Sequence, residues 1–133
     1  MKRHCFSAVG IAVAAAVGLI VPAAAAAART ETTVNVTAGK PSELRFTLSK
    51  KTFRHGTVAF KLTNAGALAH DLKVCASPTG GSANSCTGKV TRLIGPGQSV
   101  TLTYTFKTSG TYEYLCTVPG HAAAGMKGDV KVT

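Results

Sequence analysis

Close to the C-terminus the chain reads Cys116-Thr-Val-Pro-Gly-His121-Ala-Ala-Ala-Gly-Met126. A thiolate, an imidazole and a thioether thus recur every five residues along one segment, and a second imidazole, His70, stands upstream before a short alternating run. Soft sulfur favours Cu(I), imidazole suits both oxidation states, and a His2Cys set with a weak axial Met is the donor combination of blue-copper electron-transfer sites. On this reading Cys116 supplies the short thiolate bond, His70 and His121 complete a trigonal plane, and Met126 is the axial contact. The expected cofactor is one copper ion cycling between Cu(I) and Cu(II).

A metal-binding thiolate must be free of disulfide bonding. Of the four cysteines in the chain, Cys5 falls in an apolar N-terminal run, leaving Cys75, Cys86 and Cys116. An odd count in an oxidising compartment leaves one thiol over. Cys75 and Cys86 flank a Gly/Ser/Asn-rich loop, and a bridge between them contributes roughly 2–3 kcal/mol in the chain-entropy model. Cys116 is then free. Pairing of Cys116 with Cys75 or Cys86 is the alternative that would abolish the site.

The donors need elements to hold them. From Thr30 onward the apolar residues recur with period two: Val34/Val36, Leu44/Phe46/Leu48, Val58/Phe60/Leu62, His70/Leu72/Val74, Val100 to Phe106, Tyr112/Tyr114/Cys116 and Met126 to Val132. Seven half-buried strands require an all-β, two-sheet sandwich or barrel of about seven to eight strands. Turn sequences such as His55-Gly56, Asn64-Ala65-Gly66, Gly95-Pro96-Gly97 and Ser109-Gly110 separate them. No helix is predicted in this region. The alternation places His70, Cys116 and Met126 on the inward faces of their strands, and His121 in the loop after Pro119-Gly120. His55, at no core-phased position, is read as a surface histidine. Tyr112 or Tyr114 is a candidate tyrosine corner.

Residues 1–28 read as a cleaved secretory signal: basic Lys2-Arg3-His4, an apolar run from Cys5 to Val21, and small residues ending in an Ala tract, with cleavage before Arg29. Residues 29–133 form one small domain, expected to be periplasmic or extracellular, monomeric, and without a transmembrane segment after cleavage. The formal charge of +10 falls to about +8 once Lys2 and Arg3 are removed. The cations are scattered and no nucleic-acid motif accompanies them. A solvated basic surface and steering toward an acidic redox partner both remain open.

The segments Tyr112–Met126 and Gly56-Thr-Val-Ala-Phe-Lys-Leu-Thr-Asn-Ala-Gly-Ala-Leu-Ala-His70 resemble the copper loop and first-histidine strand of the cupredoxins, the plastocyanin/azurin group. The resemblance covers most of residues 29–133. It implies a Greek-key β-sandwich carrying single electrons between a protein donor and acceptor. In that family the residue after the first histidine is commonly Asn, tying the ligand loops together beside the cysteine. Here it is Asp71, which can still accept a bond from Thr117 and would bring negative charge toward copper. Ala69 is placed to offer its carbonyl as a remote fifth contact.

Small apolar residues surround His121 (Val118, Pro119, Ala122 to Ala124), with Gly66, Ala67 and Leu68 in the opposite loop. Such a patch suits brief docking of a redox partner. The alternative function is a non-redox copper carrier or chaperone. That class favours exchangeable Met- or His-rich tracts, and the chain has two Met in total. An enzyme is not expected: a second copper centre needs further histidines, and only His55, His70 and His121 follow the signal. No nucleophilic triad, phosphate loop or zinc motif offers other chemistry.

Overall fold

The alternating runs form two mixed sheets in a computed structural model that describes residues 31–81 and 83–133. The expected signal segment, its cleavage point and Cys5 lie outside the described residues. The strands are β1 (Thr32–Ala38), β2 (Phe46–Leu48), β3 (Thr52–Phe53), β4 (Gly56–Asn64), β5 (Lys73–Cys75), β6 (Gly88–Val90), β7 (Ser99–Phe106), β8 (Gly110–Leu115) and β9 (Lys127–Val132). One sheet has the order β2-β1-β4-β7 and the other β3-β9-β8-β5-β6. The chain crosses repeatedly between them, as a Greek-key sandwich requires. Among the described residues there is no helix, hence none long and apolar enough to cross a membrane.

Register follows the apolar pattern. Parallel β1 and β4 pair Val34 with Phe60 and Val36 with Leu62. Antiparallel β4 and β7 pair Phe60 with Leu102. A one-residue slip would turn these side chains to solvent, so burial fixes the pairing. Phe53, Phe60 and Phe106 meet edge-on or tilted, and Phe106 also packs on Tyr104 and Tyr112. Tyr112 donates its hydroxyl to the Thr108 carbonyl at 3.0 Å, the local tie of a tyrosine corner.

Three details depart from simple alternation. The short strands β3 and β6 extend the second sheet at its two edges. The strand expected from His70 begins only at Lys73. His70 makes instead an isolated bridge to Ile94, and the Leu72 amide donates to Thr91 Oγ1 at 3.0 Å, a side chain standing in for a ladder partner. Lastly, Glu113 and Leu115, phased outward by the alternation, are buried (4% and 1% exposed). The Cys75–Cys86 disulfide draws a loop across that face, and Leu115 packs with Cys75, Cys86 and Ala122 beneath it.

Glu113 Oε1 has no hydrogen-bond partner. Burial, and then the cross-strand neighbour Asp129, push its carboxyl above the usual carboxylate range. A raised folded-state pKa means that the stabilising contribution is present at low pH and lost as pH rises through it. Glu113→Gln is therefore expected to raise the thermal midpoint at pH 7, with a gain that shrinks toward pH 4. An equal or opposite shift at pH 7 in calorimetry would contradict this.

Candidate metal centre

Three connections gather at one end of the sandwich: the β1–β2 segment, the loop after β4 and the loop from β8 into β9. The loop after β4 is shaped by buried Asn64. Its Nδ2 donates to the Leu68 and Ile94 carbonyls at 2.7 and 3.1 Å, and its Oδ1 accepts from Gly66 N–H at 2.9 Å. One amide thus satisfies a turn, and the chain leaves that turn directly into His70.

The loop from Cys116 to Met126 is closed by its own backbone. Cys116 N–H donates to the Met126 carbonyl at 3.0 Å, and Met126 N–H to the His121 carbonyl at 2.9 Å. Tight turns fill the interval, with Gly120 and Gly125 at φ of +84° and +103°, conformations that side chains with a Cβ resist. The loop therefore returns to β9 with Cys116 and Met126 fully buried. Met126, expected to open the last strand, stands one residue ahead of β9, and both it and Cys116 belong to the main core cluster.

These loops bring donor atoms of His70, Cys116 and His121 within 4.8 Å of one another. Cys116 Sγ lies 3.5 Å from His121 Nδ1, and the two imidazole centroids are 5.1 Å apart. His70 and Cys116 are completely buried, whereas His121 is half-buried. The bridge of Cys75 to Cys86 leaves Cys116 as the free thiol among the described residues.

His70 Nδ1 is buried and has no hydrogen-bond partner, while Nε2 lies 2.9 Å from Glu43 Oε1. A carboxylate accepts only, so Nε2 carries the proton and Nδ1 presents its lone pair to the donor cluster. An orphaned buried acceptor is costly; a cation bound there removes the cost. Burial pushes the Cys116 thiol up, against the backbone N–H groups of Asp71 and Val118. Burial and the neighbouring His70 push His121 down. A neutral imidazole is ready to ligate, and a thiol beside a bound cation deprotonates. The residues fit a soft metal ion with imidazole and thiolate ligands.

Asp71 joins the two ligand loops. Its Oδ1 accepts from Thr117 N–H at 2.6 Å, and its Oδ2 accepts a short bond from the Thr117 hydroxyl. Ala69 is half-buried beside His70. His55 lies exposed at the far edge, with Nδ1 3.3 Å from the Thr133 carbonyl. Of the apolar surround, Leu68 is 48% exposed, and Pro119, Ala123 and Ala124 are exposed. Ala122, expected among them, is instead buried under the disulfide loop. Sequence reasoning missed Glu43 and Arg45, which looked like the polar face of a strand. The available signal was scarcity: the chain has only five acidic residues.

Comparison with known proteins agrees with this geometry. Residues 26–133 match the family described as copper binding proteins, plastocyanin/azurin family. Auracyanin-B of Chloroflexus aurantiacus is 46% identical over 43 residues, 32% of this chain and 18% of the relative. The copper-resistant cuproprotein CopI of Pseudomonas aeruginosa is 45% identical over 40 residues, 30% of this chain and 22% of the relative. The chain thus spans about a fifth of the length of these curated relatives. Among solved structures, dithionite-reduced auracyanin from Roseiflexus castenholzii superposes with a TM-score of 0.58 at 27% identity, covering 77% of this chain and 98% of that one. Auracyanin A of Chloroflexus aurantiacus, described as a "blue" copper protein, gives 0.57 at 25% identity, with 77% and 99% covered.

The Asp71 tie makes a prediction. Asp71→Ala strands the Thr117 N–H and should cost about 1–3 kcal/mol. Asp71→Asn keeps one acceptor and removes the negative charge, so the reduction potential of the copper-loaded protein should rise. An unchanged potential in voltammetry would refute the electrostatic role of Asp71.

Proposed function

Because the chain belongs to the plastocyanin/azurin family of copper-binding proteins, we propose that it is an extracytoplasmic blue-copper protein. It carries single electrons between redox proteins, with His70, Cys116, His121 and Met126 as its ligands. The observation that carries this reading is the buried, unpartnered His70 Nδ1, gathered with the Cys116 and His121 donor atoms within 4.8 Å. Bound copper supplies a one-electron couple.

The chain's own residues do the rest. His70 binds through Nδ1 because its Nε2 proton is committed to Glu43. Cys116 binds as thiolate, its sulfur screened from water by complete burial. Asp71 keeps the Cys116 loop against the His70 loop, which opposes rearrangement when the charge of the centre changes. Met126, buried and five residues beyond His121, would offer its thioether as a fourth, weaker donor. His121 is the least buried of the donors, so its edge is the exit for the electron. Leu68, Pro119 and Ala123 beside it form an apolar contact suited to transient docking.

Two further features support location and role. A disulfide is at home in an oxidising compartment, in keeping with residues 1–28 as a secretory signal. Three histidines beyond that segment are too few for the second copper centre of a multicopper oxidase, which favours a carrier over an enzyme.

The test is the visible and EPR spectrum after Cu(II) is added to residues 29–133, beside Cys116→Ser. An intense blue thiolate-to-copper band with narrow hyperfine splitting, lost in the variant, together with a reversible one-electron wave, is expected. A colourless protein with ordinary Cu(II) signals unchanged by the variant would overturn the reading in favour of a non-redox copper carrier.

A further inference from the structure

Two residues of the segment between β1 and β2 reach both ligand loops. Glu43 faces the loop after β4. Its Oε1 accepts from Leu68 N–H at 2.9 Å and Ala67 N–H at 3.1 Å, and its Oε2 from Ala67 N–H at 2.9 Å. The same Oε1 accepts from His70 Nε2 at 2.9 Å. One carboxylate thus fixes the backbone that leads to His70 and the orientation of its ring. Arg45, two residues on, faces the other loop: its Nη1 donates to the Ala124 carbonyl at 2.8 Å. The guanidinium also lies over Gly125, where an added Cβ would sit 2.5 Å from Nη1.

The segment is itself held in place. Gly39 N–H donates to the Arg45 carbonyl at 3.0 Å, and Ala65 N–H to the Ala38 carbonyl at 2.9 Å. Gly39 and Gly66 pack backbone to backbone: a Cβ on Gly39, at φ +81°, would fall 2.5 Å from Gly66 N. This contact sets the segment directly over the turn that precedes His70. Glu43 and Arg45, which alternation read as a solvated strand face, lie in a turn and just ahead of β2, and each reaches a different loop of the site.

We propose that Glu43 and Arg45 act as a two-armed clamp that positions the His70 loop and the His121–Met126 loop before the metal arrives. Both are positioning residues, acting through His70 and through the Ala124–Gly125 backbone. The proposal rests on the copper reading for its purpose, but not for its first test. Groups that orient a metal-ligating histidine change metal affinity by 10–100-fold when removed, and anchoring from outside the metal site lets such ligands hold their geometry unaided.

The experiment has two readouts. In the metal-free protein, amide hydrogen exchange is followed at Ala67, Leu68, Ala124 and Gly125 in wild type, Glu43→Ala, Glu43→Gln and Arg45→Ala. In the Cu(II)-loaded proteins, the blue band, the EPR hyperfine splitting and the rate of copper release to a chelator are measured, with thermal midpoints as the control for global stability. Glu43→Ala should speed exchange at Ala67 and Leu68 at least tenfold and release copper about 10–100-fold faster, with an altered hyperfine splitting. Glu43→Gln should fall between, since an amide oxygen in the Oε1 position still serves Leu68 and His70. Arg45→Ala should loosen Ala124 and Gly125 while leaving Ala67 and Leu68 protected.

Gly66→Ala is the second route to the same end, because its Cβ would collide with Glu43 Oε1 and push the carboxylate away without changing its charge. It should reproduce Glu43→Ala. Exchange within twofold of wild type in Glu43→Ala and Arg45→Ala would overturn the clamp, as would faster release explained wholly by a lower thermal midpoint. A wild-type protein that is not blue would instead contradict the copper reading, and the exchange data would still decide the clamp.

Discussion

Donor side chains drawn from distant parts of one chain must be kept in one place if a metal is to bind them as a set, and here that constraint rests on Asp71. The residue follows His70 directly and accepts from both the backbone N–H and the hydroxyl of Thr117, which follows Cys116. Two sequence-distant loops are thereby joined one residue from a donor on each side. Without that join, the His70 loop would rest on the Ile94 bridge and Glu43, and its tie to the Cys116 strand would be the β5–β8 pairs Lys73–Leu115 and Val74–Tyr114, the first of which lies three residues beyond His70.

The scaffold behind the join is rigid for ordinary reasons. β4 and β7 pair from Gly56–Phe106 to Thr63–Ser99, with the phenylalanine cluster inside. β8 and β9 pair along their whole length and lead straight into the Cys116 and Met126 positions. Burial of apolar area supplies most of the stability, and the polar groups at the metal end are satisfied by a few dedicated side chains: Asn64 within its turn, Glu43 on the His70 loop, Arg45 on the Ala124 carbonyl. Among the backbone groups these side chains serve are the Ala67 and Leu68 N–H groups and the Ala124 carbonyl, which lie in loops outside the strand ladders. The exceptional orphan at this end is His70 Nδ1, the atom a metal would take. Hydrogen bonds from Ala67, Leu68 and His70 hold the Glu43 carboxyl down at about 2, so it stays ionised as an acceptor throughout the ordinary pH range.

Much of this was legible in the sequence. Period-two alternation gave the two-sheet class because burial on one face is what alternation encodes. The Cys116, His121 and Met126 spacing drew attention to the loop because those residue types share a chemistry. The odd cysteine was sorted correctly because Cys75 and Cys86 bracket a short Gly/Ser/Asn-rich loop. What escaped has a common cause. Glu113, Leu115 and Ala122 are covered by the disulfide loop, and alternation says nothing about what a loop lies across. Glu43 and Arg45 read as solvent-facing because pattern places a side chain on a face, while the contacts that make them matter come from Gly39 meeting Gly66 in space. His70 left its expected strand: it forms an isolated bridge to Ile94, and Leu72 meets Thr91 through one backbone bond and the Thr91 hydroxyl, contacts with no local signature.

The central claim is that the ligands are in position before copper binds. Crystal structures of the metal-free and copper-loaded protein test it most directly. The account predicts one copper on His70 Nδ1, Cys116 Sγ and His121 Nδ1, with these atoms within ~0.5 Å of their metal-free positions and the Asp71–Thr117 bonds intact in both. Copper bound elsewhere, or a His70 or His121 loop that refolds by several ångströms to reach it, would contradict the account.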